Sequence, residues 1–246
     1  MSETKKTDVD VLSIGAHPDD IELACGGLLI KLVRQGRRVV VLDLTRGEMG
    51  SRGDAEQRTR EAEAAAAVMG VMAREEADLP DSRLANTTEQ QRAIIPYIRT
   101  YRPKIICALM APDRHPDHAA AHALSRDANY YSGLKNIDTG QPAYRAPRIY
   151  YFYPYTELAG APPCVVDISD TFETKMEALR AYQSQFHNPQ YPGPSTYISS
   201  REFWDGIETR ARYWGGRIGT QYGEPLYTET PLMLDALPGL ETGAEE

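Results

Sequence analysis

The sequence has no apolar run long enough to cross a bilayer. Its longest stretches, such as Val39 to Leu42, fall far short of the ~20 residues that a spanning helix needs. It has no excess of positive charge. The 27 Lys and Arg stand against 35 Asp and Glu, a formal net charge of −8. That balance excludes a general nucleic-acid binder, which needs a basic footprint to release counterions, although a few local arginines still suit an anionic small ligand. Cysteine is scarce: Cys25, Cys107 and Cys164 are odd in number and widely spaced, so they read as reduced, buried thiols of a cytoplasmic protein and not as a disulfide framework. No GxGxxG follows the first apolar run, which removes a dinucleotide-binding reading and leaves Gly26 and Gly27 to ease helix–sheet packing. There are no repeats, no charge run and no long linker. The opening MSETKKTDVDVLSIGAH meets a strand-like run directly, with no cleavable apolar segment, which again fits a cytoplasmic location.

What is present is the alternation of a globular α/β protein. With 41% apolar and 25% charged residues over 246 positions, the chain is expected to form one domain, 1–246. Val9 to Gly15 and Arg38 to Thr45 are dense apolar runs typical of strands buried on both faces. Ile21 to Gln35 between them carries Leu23, Leu28, Leu32 and Val33 near helical spacing. Asp54 is placed to cap a helix containing Arg58 to Met69. A short strand is expected at Ala77 to Leu79. A helix follows from Thr87 or Thr88 to Tyr101, its first half weakened by Pro96. Lys104 to Leu109 reads as a further buried strand, then a loop and a helix to about Asn129. Further on, strands are expected in 149–155 and 164–169, and helices from Asp170 to Gln183 and from Ser199 to Ile218. The tail past Gly223 is expected to run over the surface. The fold class is therefore α/β, a Rossmann-like, mostly parallel sheet with helices on both faces and a less regular C-terminal third.

The histidines carry the chemistry. Of five, three fall in HPDHAAAH (115–122) and a fourth in HPDD (17–20), so HPD occurs twice, each time after an expected buried strand. Such loops lie at the carboxyl ends of the strands, where open α/β sheets bind ligands. Imidazole and carboxylate without thiolate suit Zn²⁺, with one position kept for water. His17 and Asp20, three apart, can share a centre. His118 is favoured as the third ligand, with His122, one turn deeper, as a packing or supporting residue. Asp19, beside a ligating carboxylate, can accept a proton from water, unless it only caps the following helix. His115 can donate to the leaving amine or stabilise an oxyanion, and Asp117 can orient a ligand histidine. As turn and capping residues, the same histidines would need no metal.

AHPDDIELACGG (16–27) together with RHPDHAAAH (114–122) resembles the LmbE/PIG-L family of zinc-dependent N-deacetylases, which act on N-acetylglucosamine conjugates. TRGEMGSRGDAEQRTREAEAAA (45–66) and YQSQF (182–186) are more particularly similar to its bacillithiol-biosynthesis branch, which deacetylates N-acetylglucosaminyl-malate. The resemblance implies zinc on His17, Asp20 and His118, Asp19 as general base and His115 as charged partner or acid. It places Arg58 and Arg114 near the substrate, where guanidinium would match malate carboxylates, and Tyr197 at the oxyanion. It also implies a homo-oligomer, hexamers among the forms known. Ala24 departs from the family's usual Gly. Beside these roles, Arg58 also reads as a solvated helix arginine paired with Glu61 or Glu63, Tyr197 as an ordinary loop aromatic, Glu48 as a cap or bridge, and His187 as a loop residue that could reach the site's rim. The tyrosine-rich 150–155 reads as core or subunit contact. An inositol, mercapturate or chitooligosaccharide conjugate is the alternative substrate. A non-catalytic zinc-containing ligand-binding protein is the reading from another class.

Overall fold

A computed structural model describes residues 8–154 and 160–233. Five strands form one parallel sheet in the order β3-β2-β1-β4-β5. They are β1 (Val11–Gly15), β2 (Val39–Asp43), β3 (Ala73–Glu76), β4 (Ile105–Leu109) and β5 (Arg148–Phe152). Every residue of β1 and β2 is buried, as their unbroken apolar runs require. Helices α1 (Asp20–Arg34), α2 (Ala55–Met69), α3 (Thr88–Tyr101) and α4 (Pro116–Ser132) make the crossovers. The pair α3 and α4 pack on each other, and α1 and α2 pack with α5 (Phe172–Arg180), which gives a layer on each face. Strand order reverses at β1, so the loops after β1 and β4 open side by side at the switch point. The first HPD segment lies in the loop after β1, and the second spans the junction of the loop after β4 with α4.

Local signals explain the ends of the helices. The Asp54 carboxylate accepts from the Gln57 N–H at 2.7 Å, the expected cap of α2. Pro116 occupies the first turn of α4, where a missing N–H costs nothing. Pro96 sits inside α3 without dividing it, because Ile94, Ile95 and Ile98 bury a continuous face around it. Helix α1 is bent: Cys25 leaves helical geometry with φ −137°. A Cβ on Gly27 just beyond would stand 2.8 Å from the Ile168 side chain, so glycine there does serve close packing.

Two expectations need correction. The third strand is Ala73–Glu76 and not 77–79. Its polar sequence hides a strand because the Arg74 side chain, 7% exposed, is neutralised, with Nε 2.6 Å and Nη2 2.9 Å from the Asp43 carboxylate and Nη1 on Glu22. The tail beyond Gly223 does not simply run over the surface. Gly223–Leu226 form β7, buried throughout and antiparallel to β6 (Cys164–Asp167), and a bridge from Tyr151 to Tyr227 joins this ribbon to the main sheet. Glu224 explains the burial: it accepts from the N–H groups of Gly27 (3.0 Å) and Leu28 (2.7 Å) and from Lys175 Nζ (2.7 Å). Those N–H groups open the second half of α1 beyond the bend. Helix α6 (Arg201–Ile218) lies where a last helix was expected and starts on a serine cap, Ser200 Oγ accepting from the Phe203 N–H. Tyr151, Phe152 and Tyr153 of the aromatic stretch belong to the core, while Tyr155 lies outside the described residues. Among the described residues, no helix is long and apolar enough to cross a membrane.

Candidate metal centre

The turn after β1 is built around one carboxylate. Asp20 folds back so that Oδ2 accepts from the N–H groups of Ala16 (3.1 Å) and His17 (2.9 Å), which leaves Oδ1 facing outward. Asp19, at the helix cap, is held at φ 114° and makes no side-chain cap. A non-glycine residue in that region is strained, and such strain collects at functional sites. His17 Nδ1 lies 3.5 Å from Asp20 Oδ2, and His118 Nε2, from the first turn of α4, lies 3.1 Å from Asp20 Oδ1. His115 packs against both rings, with centroids 4.8 Å from His17 and 4.6 Å from His118. One nitrogen from each of His17, His115 and His118 falls within 4.8 Å of the others. The two HPD turns therefore converge.

The far sides of the histidines are gripped by carboxylates. His17 Nε2 faces Asp81 Oδ1 at 3.2 Å and Asp117 Oδ2 at 3.3 Å, and His118 Nδ1 faces Asp113 Oδ2 at 3.4 Å. Asp117 is thus placed on the His17 ring. It is itself fixed by the Ser82 N–H at 2.7 Å. Asp81 accepts from the Met49 N–H, and the Glu48 carboxylate bridges to the Asp81 N–H, both at 2.8 Å. Asp81 and Asp113 were not anticipated. The signal was nonetheless in the sequence: Pro-Asp occurs at 18–19, 80–81, 112–113 and 116–117, and all four aspartates enter this cluster.

Five carboxylates around three imidazoles make a site that attracts a cation. Burial alone would lower the His17 and His118 pKa values. Hydrogen bonds that His17 donates to Asp117, Asp20 and Asp81 instead hold it well above its usual range, and Asp20 and Asp113 hold His118 at about 9. Burial works to raise the Asp20 pKa, but the two histidines keep it well below the usual carboxylate range. A divalent ion on the inward nitrogens and Asp20 would take the place of the bound protons. The imidazole–carboxylate donor set, free of sulfur, fits zinc and the orienting carboxylates complete the arrangement. His115 is pushed down, by burial first and then by its histidine neighbours. Its Nδ1 accepts from the Asp117 N–H at 3.2 Å, so it caps α4 and keeps Nε2 as the proton-bearing atom.

Asp19 shares this pocket. Burial raises its pKa to about 7, against the opposing pull of the Arg58 guanidinium. Arg58 is no solvated helix residue. It is buried, with Nη2 2.6 Å from the Pro18 carbonyl and 3.2 Å from Asp19 Oδ2, and Nη1 3.1 Å from the Gly47 carbonyl. Gly47, at φ +66°, permits the approach, because a Cβ there would stand 2.0 Å from Nη1. Arg114 and Tyr197 meet at the mouth, the guanidinium carbon 4.6 Å from the ring centroid. His122 points elsewhere, with Nδ1 3.0 Å from the Leu109 carbonyl and Nε2 3.4 Å from Glu229. His187 lines a separate cavity with Arg180 and Trp204. The pocket bounded by His17, Asp19, Asp20, His115 and His118 has a volume of 260 Å³.

Comparison with known proteins adds chemistry to this geometry. The GlcNAc-PI de-N-acetylase (PIG-L) family profile matches residues 12–129. Diacetylchitobiose deacetylase of Thermococcus kodakarensis is 30% identical over 93% of this chain and 86% of its own length. Among solved structures, the conserved protein TT1542 from Thermus thermophilus superposes with a TM-score of 0.83 at 33% identity, covering 92% of this chain and 97% of that one. N,N'-diacetylchitobiose deacetylase from Pyrococcus horikoshii superposes at 0.74 with 26% identity, covering 88% and 82%. With both halves of the resemblance, AHPDD and HPDH, brought onto one centre, the chain belongs to the PIG-L/LmbE-like family of deacetylases.

Proposed function

We propose that this chain is a metal-dependent amidohydrolase that removes the N-acetyl group from an N-acetylglucosamine conjugate and releases acetate. One observation carries this reading: two histidines from distant segments face Asp20 while Asp19, the neighbouring carboxylate, opens into the same pocket. His17, Asp20 and His118 would hold the ion, which when bound supplies Lewis-acid polarisation of the acetamide and eases ionisation of water. Asp19 accepts the proton of the attacking water, held in place by Arg58. His115 offers its Nε2–H to the oxygen that becomes negative in the tetrahedral state, and Tyr197, across the mouth, is placed to add a second donor. The proton collected by Asp19 is then available to the glucosamine nitrogen as the C–N bond breaks.

The arginines bear on the choice of conjugate. Arg58, one half of a malate clamp, is already engaged by Asp19 and two backbone carbonyls. With that guanidinium occupied, and with the likeness to diacetylchitobiose deacetylases, a neutral N-acetylglucosamine oligosaccharide is the favoured substrate. N-acetylglucosaminyl-malate is the second reading, favoured by Arg114 at the mouth of the pocket. The test is acetate release from N,N'-diacetylchitobiose, N-acetylglucosaminyl-malate and free N-acetylglucosamine, with metal analysis of the same purified sample. Stoichiometric zinc and fastest turnover of the disaccharide are expected. A malate conjugate turned over tenfold faster would restore the charged substrate, and full activity in metal-stripped protein would end the metal reading.

A further inference from the structure

Next to the metal pocket lies a larger cavity of 650 Å³, and Leu23 and Tyr197 stand on the walls of both. The pocket with the histidines, at 260 Å³, falls just below the ~300–1,000 Å³ usual for a ligand site, room enough for about one sugar ring. A conjugate held by its acetamide there must place its remaining part somewhere, and the adjoining cavity is the space the shared walls lead into. Phe203, Tyr213 and Trp214 of α6, together with Pro225 of β7, give that cavity apolar and aromatic faces. Both cations in its wall are committed elsewhere. Lys175 bonds the Leu23 carbonyl (2.8 Å) and Glu224 (2.7 Å), and Arg210 bonds the carbonyls of Tyr153 (2.6 Å) and Pro154 (2.7 Å). The exposed carboxylates Glu202 and Asp205 line it as well.

We propose that this cavity is the subsite for the second, uncharged sugar ring of the substrate, held by stacking of its C–H face on the α6 aromatics. The proposal rests on the deacetylase reading above and gives it a place for the leaving part of the molecule. Aromatic faces and an acidic rim suit a neutral ring with an apolar face and disfavour a dicarboxylate.

Gly206 provides the test. It lines the cavity, and a Cβ built on it meets nothing within 4 Å, so a large side chain there fills the space without displacing the helix. The two readouts are the ratio of kcat/KM for N,N'-diacetylchitobiose over N-acetylglucosamine, and ligand-induced tryptophan emission in a Trp204→Phe background, where Trp214 is the remaining tryptophan. Gly206→Phe is expected to lower the ratio at least tenfold. The disaccharide, unlike the monosaccharide, is expected to change the Trp214 emission, and Gly206→Phe is expected to abolish that change. Gly206→Ala controls for folding. Turnover of the disaccharide with an unmoved ratio and a silent Trp214 overturns the subsite while the deacetylase reading stands. A disaccharide-specific emission change without acetate release does the reverse. Loss of an oligomer on Gly206→Phe, with the ratio unchanged, would assign the cavity to a contact between copies and overturn the proposal.

Discussion

Asp19 and Asp20 are neighbours with the same side chain, and the fold gives them opposite surroundings. Asp20 is wrapped by two backbone N–H groups and two imidazoles, whereas Asp19 has one guanidinium and a strained backbone. Exchanging Asp19 or a histidine that faces Asp20 should therefore separate turnover from binding. Asp19→Asn is expected to retain zinc and lose ~10²–10⁴-fold in kcat, the usual worth of a positioned base. His118→Ala is expected to lose zinc and activity together. Thermal unfolding checks the distinction independently of turnover: zinc added after chelation should raise Tm in the wild type and in Asp19→Asn, but not in His118→Ala. Normal turnover by Asp19→Asn would remove Asp19 as the base. The inward-facing residues were legible in sequence because histidine is rare here and clusters visibly. Asp81 and Asp113 were not, because aspartate is common and a Pro-Asp dipeptide is also an ordinary turn.

At the scale of elements, the bend in α1 divides one helix between two duties. Its first half presents Asp20, and its second half begins at N–H groups held by the Glu224 carboxylate. Lys175 balances that buried charge, being itself 3% exposed. Glu224→Gln keeps an acceptor for the N–H groups but leaves Lys175 without its counter-charge. An unfolding free energy lower by about 3–5 kcal/mol is expected, read from urea denaturation. A loss under about 1 kcal/mol would mean that water reaches Lys175 and that the pair is not sealed. Helix α6 permits a change in the other direction: Gly206→Ala should stabilise by about 0.5–1 kcal/mol, since the position is helical and open. The elements that periodicity revealed were those with continuous apolar faces. Strand β3 escaped because its inward group is an arginine whose partners, Asp43 and Glu22, come from distant segments. Strand β7 escaped because Gly-Glu-Pro-Leu carries no strand pattern until Lys175 and the α1 backbone neutralise its glutamate.

For the whole molecule, alternating strand and helix patterns were sufficient for a parallel sheet. The rule that ligands gather at the switch point was sufficient to expect both HPD turns in one place. What no local pattern encodes is how the last third closes over that edge. Tyr197 reaches the mouth from the segment before α6, and the second cavity forms only where α6 and β7 meet α1.

The grip of Glu224 on the bend of α1 ties the histidine-bearing turn near residue 20 to a strand some two hundred positions later. A product whose translation stopped ahead of Gly223 would keep every proposed ligand and both HPD turns. It would still leave a lysine and two backbone amides stranded in a dry interior. Damage confined to that strand would thus read out as a failed catalyst with all of its chemistry intact.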